Sequence, residues 1–302
     1  MATQRRSPGV RMRRSLARAS ARIRDRRTVA APRLATPAID GSAPEAPPIF
    51  VIGCFRSGTS LLRRILDSHP RIACPPESKF ILPLAQVLRD PSALRGLDSM
   101  GFDRAYVASA LGRTASAFFT SYAAAQGKPR WADKTPDYVE VLGELREMFG
   151  PDTRFVLLYR HGMDVAFSLA NPNRHFPAIL PFARDAGGSV PVGAGLFWVD
   201  QNEKIEAFRR ADPGACHSVT YEQLTEAPET ALRPMFEFLG EVWDERVLEY
   251  QRLPHHRGIE DPDVRRRPTI ERNSGNFRAW PPEIQRQVRD ACEPMLSALG
   301  YG

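Results

Sequence analysis

The apolar run Ile49-Phe50-Val51-Ile52 opens directly into Gly53-Cys54-Phe55-Arg56-Ser57-Gly58-Thr59-Ser60. Four consecutive apolar residues suit a strand buried on both faces of a parallel sheet. Gly53, Gly58 and Ser60 keep the spacing of the phosphate-loop pattern G-x-x-x-x-G-K-S/T. A helix starting at Thr59 would turn its first amide groups toward an anion held by the loop. Position 59 departs from the pattern: it is Thr where a nucleoside triphosphatase carries Lys, and Arg56 lies inside the loop. The octet therefore implies a site for a phosphate-like group and weighs against a magnesium-bound triphosphate.

Further segments extend the alternation of strand and helix. Leu61, Leu62, Ile65 and Leu66 give residues 59–68 a helical face, and His69-Pro70 ends it. A short segment at 71–74, a helix over 80–88 and an Ala-rich helix over 103–125 follow. Trp131-Ala132-Asp133 reads as a short strand running into Lys134-Thr135-Pro136, and 139–149 as an amphipathic helix. Phe155 to Tyr159 is a second buried strand closed by Arg160, with a helix over 163–170 behind it. Residues 171–192, with Pro172, Pro177, Pro181 and Gly187-Gly188, read as a loop. A helix over 194–210, a strand at 216–220 ending in Tyr221, and a helix capped by Gly240 come next. Residues 254–280 are polar and irregular, and 281–299 form the last helix. The pattern implies an α/β fold, a central parallel β-sheet flanked by helices, with ligands at the strand C-terminal ends. No internal repeat is visible. The insertions 80–130 and 171–195 are the natural walls of an acceptor pocket.

The chain has 302 residues and a net charge of +7. Residues 1–33 hold eleven Arg and one Asp, a balance of +10, while the rest carries 31 basic and 34 acidic side chains, a balance of −3. Residues 1–47 therefore read as a basic disordered tail and linker, and 48–302 as the folded domain. A folded part without basic excess argues against a specific nucleic-acid partner. Cys54, Cys74, Cys216 and Cys292 show neither a zinc nor a disulfide spacing, which suggests reduced thiols and a cytoplasmic protein. His255-His256 lacks ligand-spaced partners, so no metal is expected. No run approaches the length of a membrane span, and the Arg-rich start lacks the apolar core of a secretory signal.

The stretches FRSGTSLLRRILDSHP, WADKTP, FVLLYRHGMDVAFS, VTYEQL and FEFLG, then a Trp280-containing segment, run in order across residues 49–301. Together they resemble the sulfotransferases that use 3′-phosphoadenosine 5′-phosphosulfate (PAPS). The stretch RSGTSLLRRILDSHPRIACPPESK is most similar to the tyrosylprotein and related bacterial branch. The resemblance implies a P-loop-type sulfotransferase fold. It also implies transfer of a sulfuryl group from PAPS to an acceptor hydroxyl or amine, with release of adenosine 3′,5′-bisphosphate and no metal.

By the same resemblance Arg56, Ser57, Gly58, Thr59 and Ser60 would cradle the 5′-phosphosulfate, with Arg56 near the transferred group. Arg160 and Ser168 would hold the 3′-phosphate, and Tyr221 would touch the nucleotide. Lys134 would stabilise the leaving phosphate, and Glu77 would act as base on the acceptor. Arg278 is a further candidate for the 3′-phosphate and Ser274 for the leaving oxygen. Cys54-Phe55 stands where Pro commonly precedes the Arg, and Arg160-His161 where Arg-Asp is common. The chemistry agrees with this set: in-line transfer between two oxygens needs positioning and neutralisation of leaving-group charge. The rival readings are a P-loop kinase or triphosphatase and a non-catalytic nucleotide-binding protein. The acceptor is open: a small molecule, a lipid, a glycan or a peptide hydroxyl.

Overall fold

Phe50 and Ile52 belong to one apolar cluster and Ile49 and Val51 to another, so the first strand is covered on both faces. That strand, β1 (Ile49–Ile52), lies at the centre of a five-stranded sheet in the order β2-β3-β1-β4-β5. The others are β2 (Ile72–Ala73), β3 (Arg130–Lys134), β4 (Arg154–Tyr159) and β5 (Cys216–Thr220). Every pairing is parallel, with Val51 opposite Lys134 and Val156 and Tyr159 opposite Thr220. The computed structural model describes residues 46–301 except 257, 262, 263, 265–269 and 271. The expected tail 1–33 lies outside the described residues, as does nearly all of the linker to 47.

The helices follow from the same sorting of apolar residues. The first, α1 (Thr59–Ser68), lays Leu62, Ile65 and Leu66 on the face of the sheet that carries Ile49, Val51, Val156 and Leu158. The opposite face, with Phe50, Trp131, Phe155 and Leu157, is covered by residues of α2 (Ile81–Arg89), α4 (Arg104–Ala125) and α5 (Leu142–Phe149). A third cluster around Trp198, Met163 and Cys292 joins α6 (Gly162–Leu169), α8 (Val190–Ala211) and α11 (Pro282–Ala298). Between them in sequence lie α7 (Leu180–Asp185), α9 (Tyr221–Glu226) and α10 (Pro228–Leu239), the last ended by Gly240 in the left-handed region at φ 72°.

Four local readings needed revision. Residues 171–192 are not one loop: Pro177–Ile179 is a 3-10 turn, α7 follows, and α8 starts at Val190 rather than 194. Pro181 and Pro191 sit in first helical turns, where the missing N–H costs nothing, so proline density here marks helix starts. An unanticipated helix, α3 (Pro91–Ser99), begins the same way, with Asp90 capping the Ser92 amide. The expected helix over 139–149 is split into a 3-10 stretch Pro136–Val141 and α5, because Val141 leaves the helical region at φ −134°. A 3-10 stretch at Glu245–Arg252, also unforeseen, carries buried Val247 and Tyr250 into the α1 cluster.

Candidate active site

Residues 53–58 run from the end of β1 to the start of α1. Arg56 (φ 70°) and Gly58 (φ 97°) both adopt the left-handed region, and the Ser57 amide donates to Cys54 O. Gly58 caps α1 without any side-chain cap, leaving first-turn amides to a ligand. A Cβ at Gly58 would stand 2.6 Å from Tyr221 Cδ2, so glycine is needed there for conformation and for space. Ser57 Oγ is buried and has no hydrogen-bond partner. Thr59 is buried and lines the same cavity.

At the end of β4, Arg160 is 7% exposed. Its Nη1 donates to Arg56 O at 2.8 Å, its Nη2 to Asn273 O, and its Cζ lies 4.3 Å from the Tyr221 ring centroid. Its Nε is buried without a partner. Burial pushes its pKa down from the ordinary guanidinium value, a sign that the fold has not fully compensated this charge. Arg56 Nε donates to Ser168 Oγ at 2.8 Å, so the residues expected at opposite ends of the donor meet in one cluster. Asp164 does not serve Arg160 as an ion-pair partner. Its Oδ1 accepts from the Gly275 and Asn276 amides, pinning that segment beside Arg160.

Strand alternation sorts the next pair. Lys134 follows Ala132 onto the α1 side of β3, and its fully buried Nζ donates to Glu77 Oε1 at 2.7 Å and to Ser60 Oγ at 3.3 Å. Asp133 falls on the opposite side, where Ser78 Oγ donates to its Oδ2 at 2.7 Å and Tyr138 OH donates to the same oxygen. Burial raises the Asp133 pKa to about 6 despite both donors. Asp133 thereby ties down the residue next to Glu77 from behind the sheet. Lys79, at φ 55°, bridges Glu77 Oε2 at 3.5 Å and Asp137 Oδ2 at 2.9 Å.

These groups border one cavity of about 1030 Å³. Arg56, Gly58, Thr59, Ser60, Glu77, Arg160, Ser168 and Tyr221 all line it, and Lys134 stands directly behind Glu77. Arg278 does not line it: the side chain is exposed, with its Cζ 5.2 Å from the Phe277 ring. Ser274 Oγ is buried without a partner next to Asn273, which does line the cavity. Among the described residues no group of three or more His, Cys, Asp or Glu is placed to hold a metal.

The sequence reading missed an acidic strap. Glu260 is buried against Arg64 (Nη2 to Oε1, 2.9 Å) and Arg63 (Nη1 to Oε2, 3.4 Å) of α1. It presents Asp261, whose carboxylate meets Arg56 Nη1 at 2.8 Å and Arg174 Nη1 at 3.3 Å and whose amide donates to Ser60 Oγ. Ile259 O accepts from the Glu77 amide. The only sequence signal was the pair of arginines on a helix face that had to be buried; their partner stands almost two hundred residues away. A bound oxyanion could use the unpartnered Ser57 Oγ and Arg160 Nε, the open α1 terminus and the glycine clearance, so the residues fit a nucleotide carrying phosphate-like groups.

The model of the sulfotransferase family matches residues 47–245. Over 213 residues the chain is 29% identical to protein-tyrosine sulfotransferase 2 of Gallus gallus, covering 69% of this chain and 55% of that protein. It thus spans about half the length of that curated relative. The fold is similar to the sulfotransferase domain from the curacin biosynthetic pathway, with a TM-score of 0.58 and 20% identity over 86% of this chain and 99% of that one. It is also similar to a mouse sulfotransferase crystallised with PAP, with a TM-score of 0.50 and 15% identity over 83% and 84% of the two chains.

Proposed function

The chain belongs to the sulfotransferase family and is a transferase, and on that premise we propose that it moves a sulfuryl group from PAPS to an acceptor hydroxyl or amine, releasing adenosine 3′,5′-bisphosphate. The observation that carries this reading is the Lys134–Glu77 pair standing 2.7 Å apart against Ser60 of the phosphate loop. One face of that pair can take a proton and the other can neutralise a leaving oxygen. The mouse relative's complex with PAP supports the choice of donor.

In this reading residues 56–60 and the α1 amides hold the 5′-phosphosulfate, while Arg160 and Ser168, the latter tied to Arg56 by its hydroxyl, hold the 3′-phosphate end. Glu77 withdraws the acceptor proton as the new O–S bond forms. The S–O bond to the 5′-phosphate breaks in line, its electron pair leaves on the phosphate oxygen, and Lys134 stabilises that charge. Thr59 at the lysine position of the phosphate loop weighs against phosphoryl transfer from a triphosphate. Tyrosyl residues of proteins are one acceptor class, suggested by the name of the Gallus gallus relative.

A reducing compartment such as the cytoplasm belongs to the same proposal, supported by four cysteines held as free thiols, three of them buried. Among the described residues no helix is long and apolar enough to cross a membrane.

The test is incubation with sulfur-labelled PAPS and candidate acceptors, following labelled product and free bisphosphate together. Release of bisphosphate in proportion to labelled product supports the reading. Hydrolysis of ATP with no use of PAPS overturns it in favour of a P-loop triphosphatase.

A further inference from the structure

Two carboxylates stand near Arg160, and both are turned to other donors. Burial lowers the Arg160 pKa, and Tyr221, Asp164 and Glu222 are close enough to oppose that shift. Among the described residues, however, the guanidinium donates to the carbonyls of Arg56 and Asn273, and its Nε–H reaches no acceptor. Asp164 Oδ1 is taken by the Gly275 and Asn276 amides at 2.7 and 3.1 Å. Glu222, in the first turn of α9, accepts from the His161 amide on Oε1 at 3.1 Å and from the Tyr301 hydroxyl on Oε2 at 2.9 Å.

Tyr301 reaches Glu222 through local chain chemistry. Gly300 adopts the left-handed region at φ 76°; its amide donates to Ser297 O and the Tyr301 amide to Leu296 O. These are the paired bonds of a Schellman turn closing α11, and they fold Tyr301 back on the body of the protein. Its ring meets that of His161 edge-on, with centroids 5.3 Å apart, and His161 in turn lies parallel to Phe277 at 5.7 Å. Phe277 belongs to the turn Asn276–Ala279, whose first amide Asp164 holds. Burial pushes the Tyr301 pKa up, so its hydroxyl stays a donor at neutral pH. The residue after Arg160 is thus bracketed by Glu222, Tyr301 and Phe277.

Opposite charges at short range pair unless other bonds hold them apart. Resting on the reading of Arg160 as the 3′-phosphate ligand, we infer that Tyr301 and Glu222 are positioning residues for the donor. The Tyr301 hydroxyl and the His161 amide hold the Glu222 carboxylate off Arg160 and leave the guanidinium for the phosphate. Without the Tyr301 hydroxyl, Glu222 Oε2 loses its donor and the carboxylate competes with the 3′-phosphate for Arg160.

The test measures adenosine 3′,5′-bisphosphate and AMP by calorimetry on the full chain and on Tyr301→Phe, Glu222→Gln and the double variant. Phe keeps the ring against His161, so the fold is retained. Tyr301→Phe should weaken bisphosphate binding about fivefold, the scale of a partly exposed competing ion pair, and leave AMP within about twofold. Glu222→Gln alone should stay within about twofold of the parent chain. In the double variant bisphosphate affinity should return to within about twofold, because the amide carries no charge to compete with. Unchanged bisphosphate affinity in Tyr301→Phe overturns the inference. So does an equal loss for both nucleotides or no recovery in the double variant, either of which leaves Tyr301 a purely structural residue. A parent chain that binds bisphosphate no better than AMP overturns the donor reading, and this inference with it.

Discussion

Arg160 carries its charge in a largely buried position on the cavity wall, and its Nε–H has no partner. A 3′-phosphate is the group that would satisfy it. Arg160→Ala should therefore remove most of the preference for adenosine 3′,5′-bisphosphate over AMP, a loss of about 1.5–3 kcal/mol measurable by calorimetry. Glu77→Gln keeps an oxygen for Lys134 Nζ but loses the basic site, so kcat should fall about 10²–10⁴-fold with bisphosphate affinity retained. Near-normal kcat in that variant would leave Glu77 as a partner of Lys134 and nothing more.

Asp133 gives a third residue-scale expectation, through pH. Its folded pKa, about 6, lies above the ordinary value of 3.8 because burial disfavours its charge. A raised pKa means that the fold prefers the protonated form. The stabilising contribution is complete below about pH 4 and is lost as pH rises through 6, by about 3 kcal/mol. Asp133→Asn should flatten that dependence in urea unfolding between pH 4 and pH 7. An unchanged slope would mean that Asp133 titrates normally.

At the scale of elements, the strap 258–261 and the phosphate loop are coupled. Glu260 anchors the strap to α1, and Asp261 then sits on Arg56, a cation the proposed donor would also need. Asp261→Asn removes a competing carboxylate from a partly exposed pair, so bisphosphate should bind roughly fivefold more tightly, the scale of such ion pairs. Weaker binding would mean that Asp261 orients Arg56 for the nucleotide instead of competing with it. The strap itself was not legible in the sequence. Residues 254–280 have no apolar period to read, and Glu260 and Asp261 are held by ion pairs with Arg63, Arg64 and Arg56, about two hundred positions earlier. Helix α1 was legible to the residue, because apolar periodicity, the loop glycine and His69-Pro70 all mark its limits locally.

At the scale of the whole molecule, charge is divided unevenly along the chain, with +10 in residues 1–33 and −3 in the rest. A segment so poor in large apolar residues can bury little against the fold. Removing residues 1–33 is expected to leave the melting temperature and turnover nearly unchanged while weakening salt-sensitive binding to polyanions. A truncated chain that fails to fold would move the domain boundary toward the N-terminus.

The centre of the sheet was readable in advance because β1 and β4 are continuous apolar runs bounded by turn residues, and parallel order followed from the alternation of strands with helices. The resemblance singled out Arg56, Glu77, Lys134, Arg160, Ser168 and Tyr221; of these Lys134 ends a strand, Arg160 follows one and Tyr221 opens a helix, where a parallel sheet gathers them. Three things depended on packing alone. Arg278, plausible by position, is exposed outside the cavity, because the 3-10 turn Asn276–Ala279 directs it over Phe277. Asp133 stands behind the Glu77–Lys134 pair because neighbouring residues of a strand face opposite ways. The strap on Arg56 and the bond from Tyr301 to Glu222 exist only once distant segments are brought together. Local periodicity and turn chemistry act over a few residues and so are written in the sequence; the meeting of distant side chains is decided by which faces the folded sheet and helices leave to one another.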